Sequence, residues 1–111
     1  MADWKDERLL SHRSFRIVDL VDNEDILEGR TFEDCTIYGP AILIPLNDNT
    51  FSHNTFEADP EALLWPIAED RDRILGAIGL RRCTFLRCIF RRIGLAGKQE
   101  FMEQMSQAMV P

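Results

Sequence analysis

The chain has 111 residues and a mass of 12.9 kDa, which is enough for one domain and leaves no room for a second independent core. Hydrophobic residues make up 45% and charged residues 29%, proportions that exclude a disordered tail, a collagen-like fibre and a disulfide-stapled mini-protein. The net charge of -6 is unevenly divided: residues 1–70 carry -11 (5 basic, 16 acidic), whereas residues 71–98 carry +7 (8 basic, 1 acidic). This division predicts either an intramolecular charge match or a basic face for an anionic partner.

The termini and the cysteines favour a cytoplasmic protein. The N-terminus lacks the basic start and the apolar run of a secretory signal. Cys35, Cys83 and Cys88 form an odd-numbered set, which is typical of reduced thiols inside the cell. The longest apolar stretches, Ala41–Leu46 and Ile74–Leu80, are far too short to span a membrane, so no membrane association is expected.

In chain order, residues 1–26 predict an N-terminal cap and a first strand, and residues 27–97 predict a series of repeated coils. A loop excursion at 57–73 interrupts the coils. Residues 98–111 show apolar side chains at helical spacing and predict a C-terminal helix. The whole chain, 1–111, is expected to form a single domain.

The coils are predicted from three hexads that share one pattern: a large apolar residue, two polar residues, Cys or Asn, Thr, and a second large apolar residue. The hexads are Phe32–Ile37, Phe51–Phe56 and Leu80–Phe85. Large apolar residues also recur every five positions, a spacing that suits neither a helix nor a simple strand. The longest such run is Leu75, Leu80, Phe85, Phe90 and Leu95. A chain that turns a corner every five residues, with two side chains pointing inward from each short face, accounts for both patterns.

This five-residue period resembles the pentapeptide-repeat family, whose members are right-handed β-helices with roughly square coils. The resemblance is best over Gly76–Gly97 and Glu28–Ile42, where Cys83 and Phe85 match the family's small and large inward positions. The family's Ala at the small position and its Asp/Asn-Leu signature are missing. The resemblance implies a mainly β fold: a short right-handed β-helix of about three coils, with an N-terminal cap and a C-terminal α-helix cap.

Alignment of the three hexads predicts which side chains stack from coil to coil. Cys35, Asn54 and Cys83 fall at one inward position, which argues against a disulfide because Asn54 separates the two thiols. One outward row is Asp34, His53 and Arg82. A surface ladder is expected there rather than an acid–base pair, because no nucleophile is positioned by a motif.

The last coil carries most of the candidate partner-binding residues. They are Arg81, Arg82, Arg87, Arg91 and Arg92. The alignment sets Glu33 and Asp34 in line with Arg81 and Arg82, which favours a solvated, partly charge-matched face. A binding face for an acidic protein is the alternative. Nucleic acid is not expected, because the aromatic side chains are predicted to point inward and cannot stack on bases.

Two further features are candidates for partner contact. Trp65, in the loop excursion, suits either a lid over the edge of the core or an interface anchor. The apolar side of the predicted C-terminal helix suits either a core cap or a dimer surface. Its candidate residues are Phe101, Met105 and Met109.

The sequence contains no pair of carboxylates, metal-ligand spacing or phosphate-binding loop that would indicate an enzyme. It therefore predicts no catalytic residue, no cofactor and no metal. The favoured function is a non-catalytic protein-interaction or structural β-helix domain, with an unidentified protein partner or a second copy as partner. The alternative comes from the resemblance: some pentapeptide-repeat proteins mimic DNA and inhibit nucleic-acid enzymes, and the acidic total charge fits that role.

Overall fold

The computed structural model describes residues 4–21, 25–57, 64–66, 76–100 and 102–103, and these residues are mainly β, as the sequence predicts. The strands are β1 (Leu9–Ser11), β2 (Ser14–Arg16), β3 (Ile26–Glu28), β4 (Thr31–Glu33), β5 (Thr36–Asn47), β6 (Thr50–Ser52), β7 (Thr55–Glu57), β8 (Leu64–Pro66), β9 (Ala77–Arg81), β10 (Thr84–Leu86) and β11 (Ile89–Gly97). Two 3₁₀ turns span Trp4–Asp6 and Ile17–Leu20. Within these ranges, no helix has both the length and the apolar character needed to cross a membrane.

Most strands are three residues long because a corner follows each of them. In the three-residue strands other than β8, the middle residue is apolar and points inward, while its two neighbours point outward, as the alternation of a strand requires. Corner residues have left-handed backbone, with φ of 53° at Asp34, 57° at His53 and 54° at Arg87. Such a conformation costs an L-residue roughly 1–2 kcal/mol, so it persists only where pairing and packing on both sides enforce it.

Four stretches of chain cross the two sheets in parallel. Segment 1 is residues 9–20, segment 2 is residues 26–43, segment 3 comprises the described residues of 44–66, and segment 4 is residues 77–97. The four-stranded sheet has the order β1, β4, β10, β6, which places segment 4 between segments 2 and 3. In the seven-stranded sheet, β11 likewise pairs with β5 on one side and β7 on the other. The segment that is last in sequence is therefore third in space, whereas the hexads were expected to stack in sequence order.

Strand β5 makes this order possible because it borders both ends of segment 4. Its first part pairs with β11 and its last part pairs with β9. At the crossing, Leu43 has Leu95 as partner on β11 and Ile78 as partner on β9. A small second apolar cluster lies just beyond and consists of Ile44, Ala77 and Ala96. Strand β5 thus steps across segment 4, from segment 2 on one side to segment 3 on the other.

Two rows of inward side chains form the centre of the core. In strand order, the rows are Leu10, Phe32, Phe85 and Phe51 in one sheet, and Phe15, Ile37, Phe90 and Phe56 in the other. The Phe85 ring stacks on Phe32 with a centroid distance of 4.9 Å and on Phe51 with a centroid distance of 5.0 Å. Because Phe85 is stacked on both sides and 0% exposed, segment 4 supplies an inner layer of the core.

The expected alignment of the third hexad is wrong by five residues. Phe85, not Leu80, occupies the row of Phe32 and Phe51, while Leu80 pairs with Leu27 on β3. The reason is that residues 80–90 contain nearly the same pattern twice, five residues apart. A shift of one repeat therefore leaves every inward position apolar, and the pattern alone does not choose between the two registers.

The two ends of the chain differ in what the structure describes. At the N-terminus, the Trp4 ring packs on Phe15 with a centroid distance of 5.7 Å, and the Arg13 guanidinium lies over the indole at 5.0 Å. At the C-terminus, the expected α-helix cap over 98–111 is not seen. Helical backbone is described only for Gln99, Glu100, Met102 and Glu103, of which Met102 is buried. Residues 104–111 lie outside the described residues.

Two asparagines of segment 3 join it to the backbone of segment 4. Asn54 Oδ1 accepts the Cys88 N–H at 2.8 Å, and Asn54 Nδ2 donates to the Phe85 carbonyl at 3.0 Å. Asn49 makes the same pair of hydrogen bonds one repeat earlier, each 2.9 Å long. Asn54 fills the place that cysteine takes in segments 2 and 4, and Asn49 stands where segment 4 has Cys83. Both amides satisfy backbone groups at the corners of segment 4.

We expect Asn54→Ala to lower the free energy of unfolding by about 2 kcal/mol, because it leaves one N–H and one carbonyl of segment 4 without their partner. The matched control is Asn47→Ala, at an exposed position where the amide bonds only to the Asp48 side chain at 3.2 Å. That control should change the free energy by less than about 0.5 kcal/mol. Urea unfolding of both variants provides the measurement, and equal effects at the two positions would contradict the proposed role of Asn54.

Candidate functional site

Three of the five candidate arginines of segment 4 are paired with carboxylates on neighbouring segments. The pairs are Arg82 with Glu28 at 2.9 Å, Arg87 with Asp34 at 2.9 Å, and Arg91 with Glu57 at 2.8 Å. Arg81 and Arg92 are exposed, and they form no salt bridge with any residue that the structure describes. Because the paired side chains are themselves partly exposed, solvent screens each pair and its contribution to stability is small.

The order of the segments explains the uneven charge of the sequence. Residues 76–97 carry five arginines and no acid, whereas residues 25–57 carry six carboxylates and one arginine, which gives net charges of +5 and -5. Because segment 4 lies between segments 2 and 3, its arginines reach carboxylates on both sides, Glu28 and Asp34 in segment 2 and Glu57 in segment 3. The pairing differs from the alignment by five residues: Glu28, not Glu33, stands opposite Arg81, and Asp34 bonds to Arg87.

The corners beside the four-stranded sheet hold a row of four polar side chains, which we call the corner row. In strand order it is His12, Asp34, Arg87 and His53. Arg87 donates from Nε to Asp34 Oδ1 at 2.9 Å and from Nη2 to Asp34 Oδ2 at 3.1 Å, and His12 Nε2 lies 3.8 Å from Asp34 Oδ2. The sequence correctly places Asp34 and His53 in one row. It is wrong on the third member, because Arg82 lies one repeat earlier and pairs with Glu28.

The corner row does not have the geometry of a catalytic triad. The Asp34 carboxylate, which would orient a histidine in a triad, is held instead by the two hydrogen bonds from Arg87. Ser52 Oγ lies 2.8 Å from His53 Nδ1, but Arg87 stands between this pair and Asp34 in the row. The arrangement is therefore one Asp34–Arg87 ion pair with a histidine on each side of it.

The Asp34–Arg87 pair predicts a loss of stability in acid. The hydrogen bonds from Arg87 lower the pKa of the Asp34 carboxyl from its ordinary value of 3.8. A lowered pKa in the folded state means that the stabilisation is complete above the unfolded-state pKa and is lost as the pH falls through the folded-state pKa. We therefore expect Asp34→Asn to have a lower unfolding midpoint than the wild type at neutral pH, and the difference to vanish in strong acid.

Urea unfolding of the wild type and of Asp34→Asn at neutral and acidic pH measures this difference. The control is the same comparison in an Arg87→Met background, which removes the partner and should abolish the pH-dependent part. A difference between the wild type and the Asp34→Asn variant that stays constant from neutral pH into acid would show that the carboxylate charge is not the cause.

The three cysteines lie in the core as free thiols, and burial is the main reason why the pKa of each is raised, to about 11 for Cys88. Each Sγ donates to a carbonyl of an adjacent segment, as in the 3.4 Å bond from Cys88 to Phe32. The register places Cys88, not Cys83, beside Cys35, which corrects the expected row. Protonated, buried thiols act here as small apolar side chains with a weak donor, not as nucleophiles.

The remaining candidate residues fall in different places. Trp65 lies on β8, beside Ala96 of β11, and its side chain is 54% exposed. The second large hydrophobic side chain that is exposed in the described ranges is Leu9, on β1, with 53% exposure. Phe101, Met105 and Met109 lie outside the residues whose side chains the structure describes.

The outward side of the four-stranded sheet is a surface that the sequence reasoning missed, and we call it the hydroxyl face. Its outward positions are Leu9, Ser11, Thr31, Glu33, Thr84, Leu86, Thr50 and Ser52. Seven of these eight residues are uncharged, although 29% of the chain is charged. The sequence does contain a pattern that indicates outward threonines: every threonine of the chain stands directly before an inward apolar residue. These threonines are Thr31, Thr36, Thr50, Thr55 and Thr84.

Comparison with known proteins finds no match to this chain among protein-family models, curated proteins or solved structures. None of the three comparisons indicates the pentapeptide-repeat family, which is an expectation from the five-residue period alone.

Proposed function

We propose that the chain is a short right-handed β-helix that serves as a non-catalytic protein-binding or structural domain in the cytoplasm. The parallel pairing supports this architecture, because segments 1, 2 and 4 each pass from one sheet to the next across a two-residue corner. The right hand is assigned to the passage from segment 1 to segment 2, because parallel crossovers strongly prefer a right-handed path. The return from β6 to β10 runs the opposite way along the same sheet, so the proposed β-helix is irregular there. On this proposal, the two sheets are successive faces of one coil.

The observation that carries the binding proposal is the hydroxyl face. Its strands are held in place by parallel pairing, and its outward side chains are mostly threonine and serine, which lose little rotamer freedom when they are covered. With one charged residue in eight, it can be covered by a partner at a small desolvation cost. The partner that fits is a protein surface that is flat, uncharged and rich in hydroxyl and aliphatic groups.

The alternative role as a DNA mimic has less support. Such a mimic needs acidic side chains in unbroken rows that follow the phosphate spacing of a duplex. In the part of the chain that the structure describes, the arginines of segment 4 lie between the acidic residues of segments 2 and 3 and bond to three of them. The negative net charge is therefore broken into alternating signs along the rows.

The test is a site-specific photo-crosslinker placed at Thr84, in the middle of the hydroxyl face, in cells of the native host. The matched control carries the crosslinker at Ser14, which is also an outward strand position but on β2 of the other sheet. We expect a discrete protein adduct from position 84 that is absent from position 14 and is abolished by Thr31→Arg. Identical adducts from both positions, or none from either, would refute the hydroxyl face as the binding surface.

A further inference from the structure

Segment 4 is held almost wholly by other segments of the chain. Its strands β10 and β11 have parallel partners on both sides, and its Phe85 and Phe90 rings stack on rings of segments 2 and 3. The amide bonds of Asn49 and Asn54 and the three arginine ion pairs also run between segments. We call the space that segment 4 fills between segments 2 and 3 the slot.

The slot can be filled from the side, without threading of the chain. Segment 4 begins after Gly76 and ends at Gly97, and its two ends flank β5 at Leu43, where β5 pairs with both of them. The segment is therefore an open loop around the core with its opening at β5. An incoming segment needs only to lay its strands beside those already present.

The slot is specific for a basic segment in one register. Glu28, Asp34 and Glu57 line it and bond to the arginines of segment 4, so an occupant without basic residues at those positions would leave the three carboxylates without their ion-pair partners. The two asparagine amides bond to backbone atoms at two corners one repeat apart, so they hold the incoming strand and leave the choice of register to the three ion pairs. The sequence that meets both conditions is that of segment 4 itself.

We propose that the slot accepts segment 4 from a second copy of this chain, which gives a dimer in which each copy fills the slot of the other. Every contact that holds segment 4 in its own chain can form identically between two chains, so the exchange introduces no new interface chemistry. Nine residues, 67–75, separate Pro66 from Gly76 in the sequence, and a chain of that length spans at most about 30 Å. The proposal concerns the slot alone and is independent of a partner on the hydroxyl face.

A pair of charge-reversed chains tests the exchange. One chain carries Arg82→Glu, Arg87→Asp and Arg91→Glu in segment 4, and the other carries Glu28→Arg, Asp34→Arg and Glu57→Arg in the slot. The corner backbone suits Asp34→Arg, because arginine already occupies left-handed corners at φ of 51° and 54°, and it suits Arg87→Asp, because aspartate occupies such a corner at φ of 53°. A control chain carries all six changes, which restores opposite charges within one molecule.

The two chains are unfolded together, refolded, and analysed by native mass spectrometry and light scattering. Each chain alone has like charges in its slot, whereas a mixed dimer has one wild-type slot and one fully reversed slot. We expect the mixed dimer, at twice 12.9 kDa, to exceed either homodimer by about tenfold after joint refolding. Mixing of already folded chains should give none.

The wild type provides the second measurement, because its dimer fraction should rise with the protein concentration during refolding. The six-change control should fold as the wild type does. If that control folds while the two reversed chains refold together without forming a mixed dimer, or if the wild type stays monomeric at every refolding concentration, the exchange proposal is wrong.

Discussion

Phe85→Ala should lower the free energy of unfolding by about 4 kcal/mol, within the usual range for truncation of a buried phenylalanine. The ring is 0% exposed and stacks on Phe32 at 4.9 Å and on Phe51 at 5.0 Å, so its removal leaves a cavity between two rings that cannot close without moving two segments. A loss of this size is a large share of the roughly 5–15 kcal/mol that stabilises a typical domain.

The matched control is Phe51→Ala, because the two rings belong to one row but Phe51 is only half-buried. Its truncation should cost about 2 kcal/mol, since the transfer free energy scales with the apolar area that folding buries. Urea unfolding followed by circular dichroism gives both values.

The same variants test the order of the segments. If segment 4 were the last in space, loss of Phe85 would weaken one end of the core and leave the other end folded. Segment 4 lies between segments 2 and 3, so both ends of the core should unfold together in Phe85→Ala. The fluorescence of Trp4, which packs on segment 1, and of Trp65, in segment 3, should therefore show a single unfolding transition. Two separate transitions, or a smaller cost at position 85 than at position 51, would contradict the observed strand order.

The inward positions could be predicted from the sequence, because the five-residue period follows directly from a three-residue strand and a two-residue corner. Phe32, Ile37, Phe85 and Phe90 are all buried, as the period requires. The short strands and the mainly β fold follow from the same period. These features depend on local geometry, which a local pattern records.

The order and the register of the segments could not be predicted in the same way. A repeat of period five is unchanged by a shift of five, so the sequence pattern makes Leu80 and Phe85 equally good partners for Phe32. The choice between them depends on the path of β5 beside segment 4, which the pattern does not record. Segments adjacent in sequence are usually adjacent in space, and that preference favoured the wrong order. The charge distribution does indicate the order of the segments, because a segment with a net charge of +5 is more favourably placed between two acidic segments than beside only one of them.

In the candidate site too, the sequence predicts which positions point outward but not the register that decides their partners. The arginines were correctly placed on outward positions of one segment, since outward positions follow from the period. Their individual partners were displaced by one repeat, because partners depend on register. The hydroxyl face was missed because its signal is the placement of threonine, a residue that is also favoured in strands for its β-branched side chain.

Gly39→Ala should be the most damaging small substitution outside the aromatic rows. Tyr38 pairs with Arg91 and Ala41 pairs with Ile93, so two residues of β5 face Arg92 alone at this point. The backbone of Arg92 consequently comes so close that a Cβ on residue 39 would overlap the Arg92 carbonyl oxygen. Relief requires a shift of the backbone between segments 2 and 4, and we expect a cost of about 3 kcal/mol or more.

Gly76→Ala is the matched control, because it adds the same methyl group at a glycine with φ of +92° and no atom within 4 Å of the new Cβ. Strain of the left-handed backbone alone should then cost about 1 kcal/mol. Arg92→Ala should not rescue Gly39→Ala, since the clash is with the Arg92 backbone and not with its side chain. Rescue by that variant, or a cost at position 39 no larger than at position 76, would mean that segments 2 and 4 are not in backbone contact at this corner, and the placement of segment 4 beside β5 would then have to be given up.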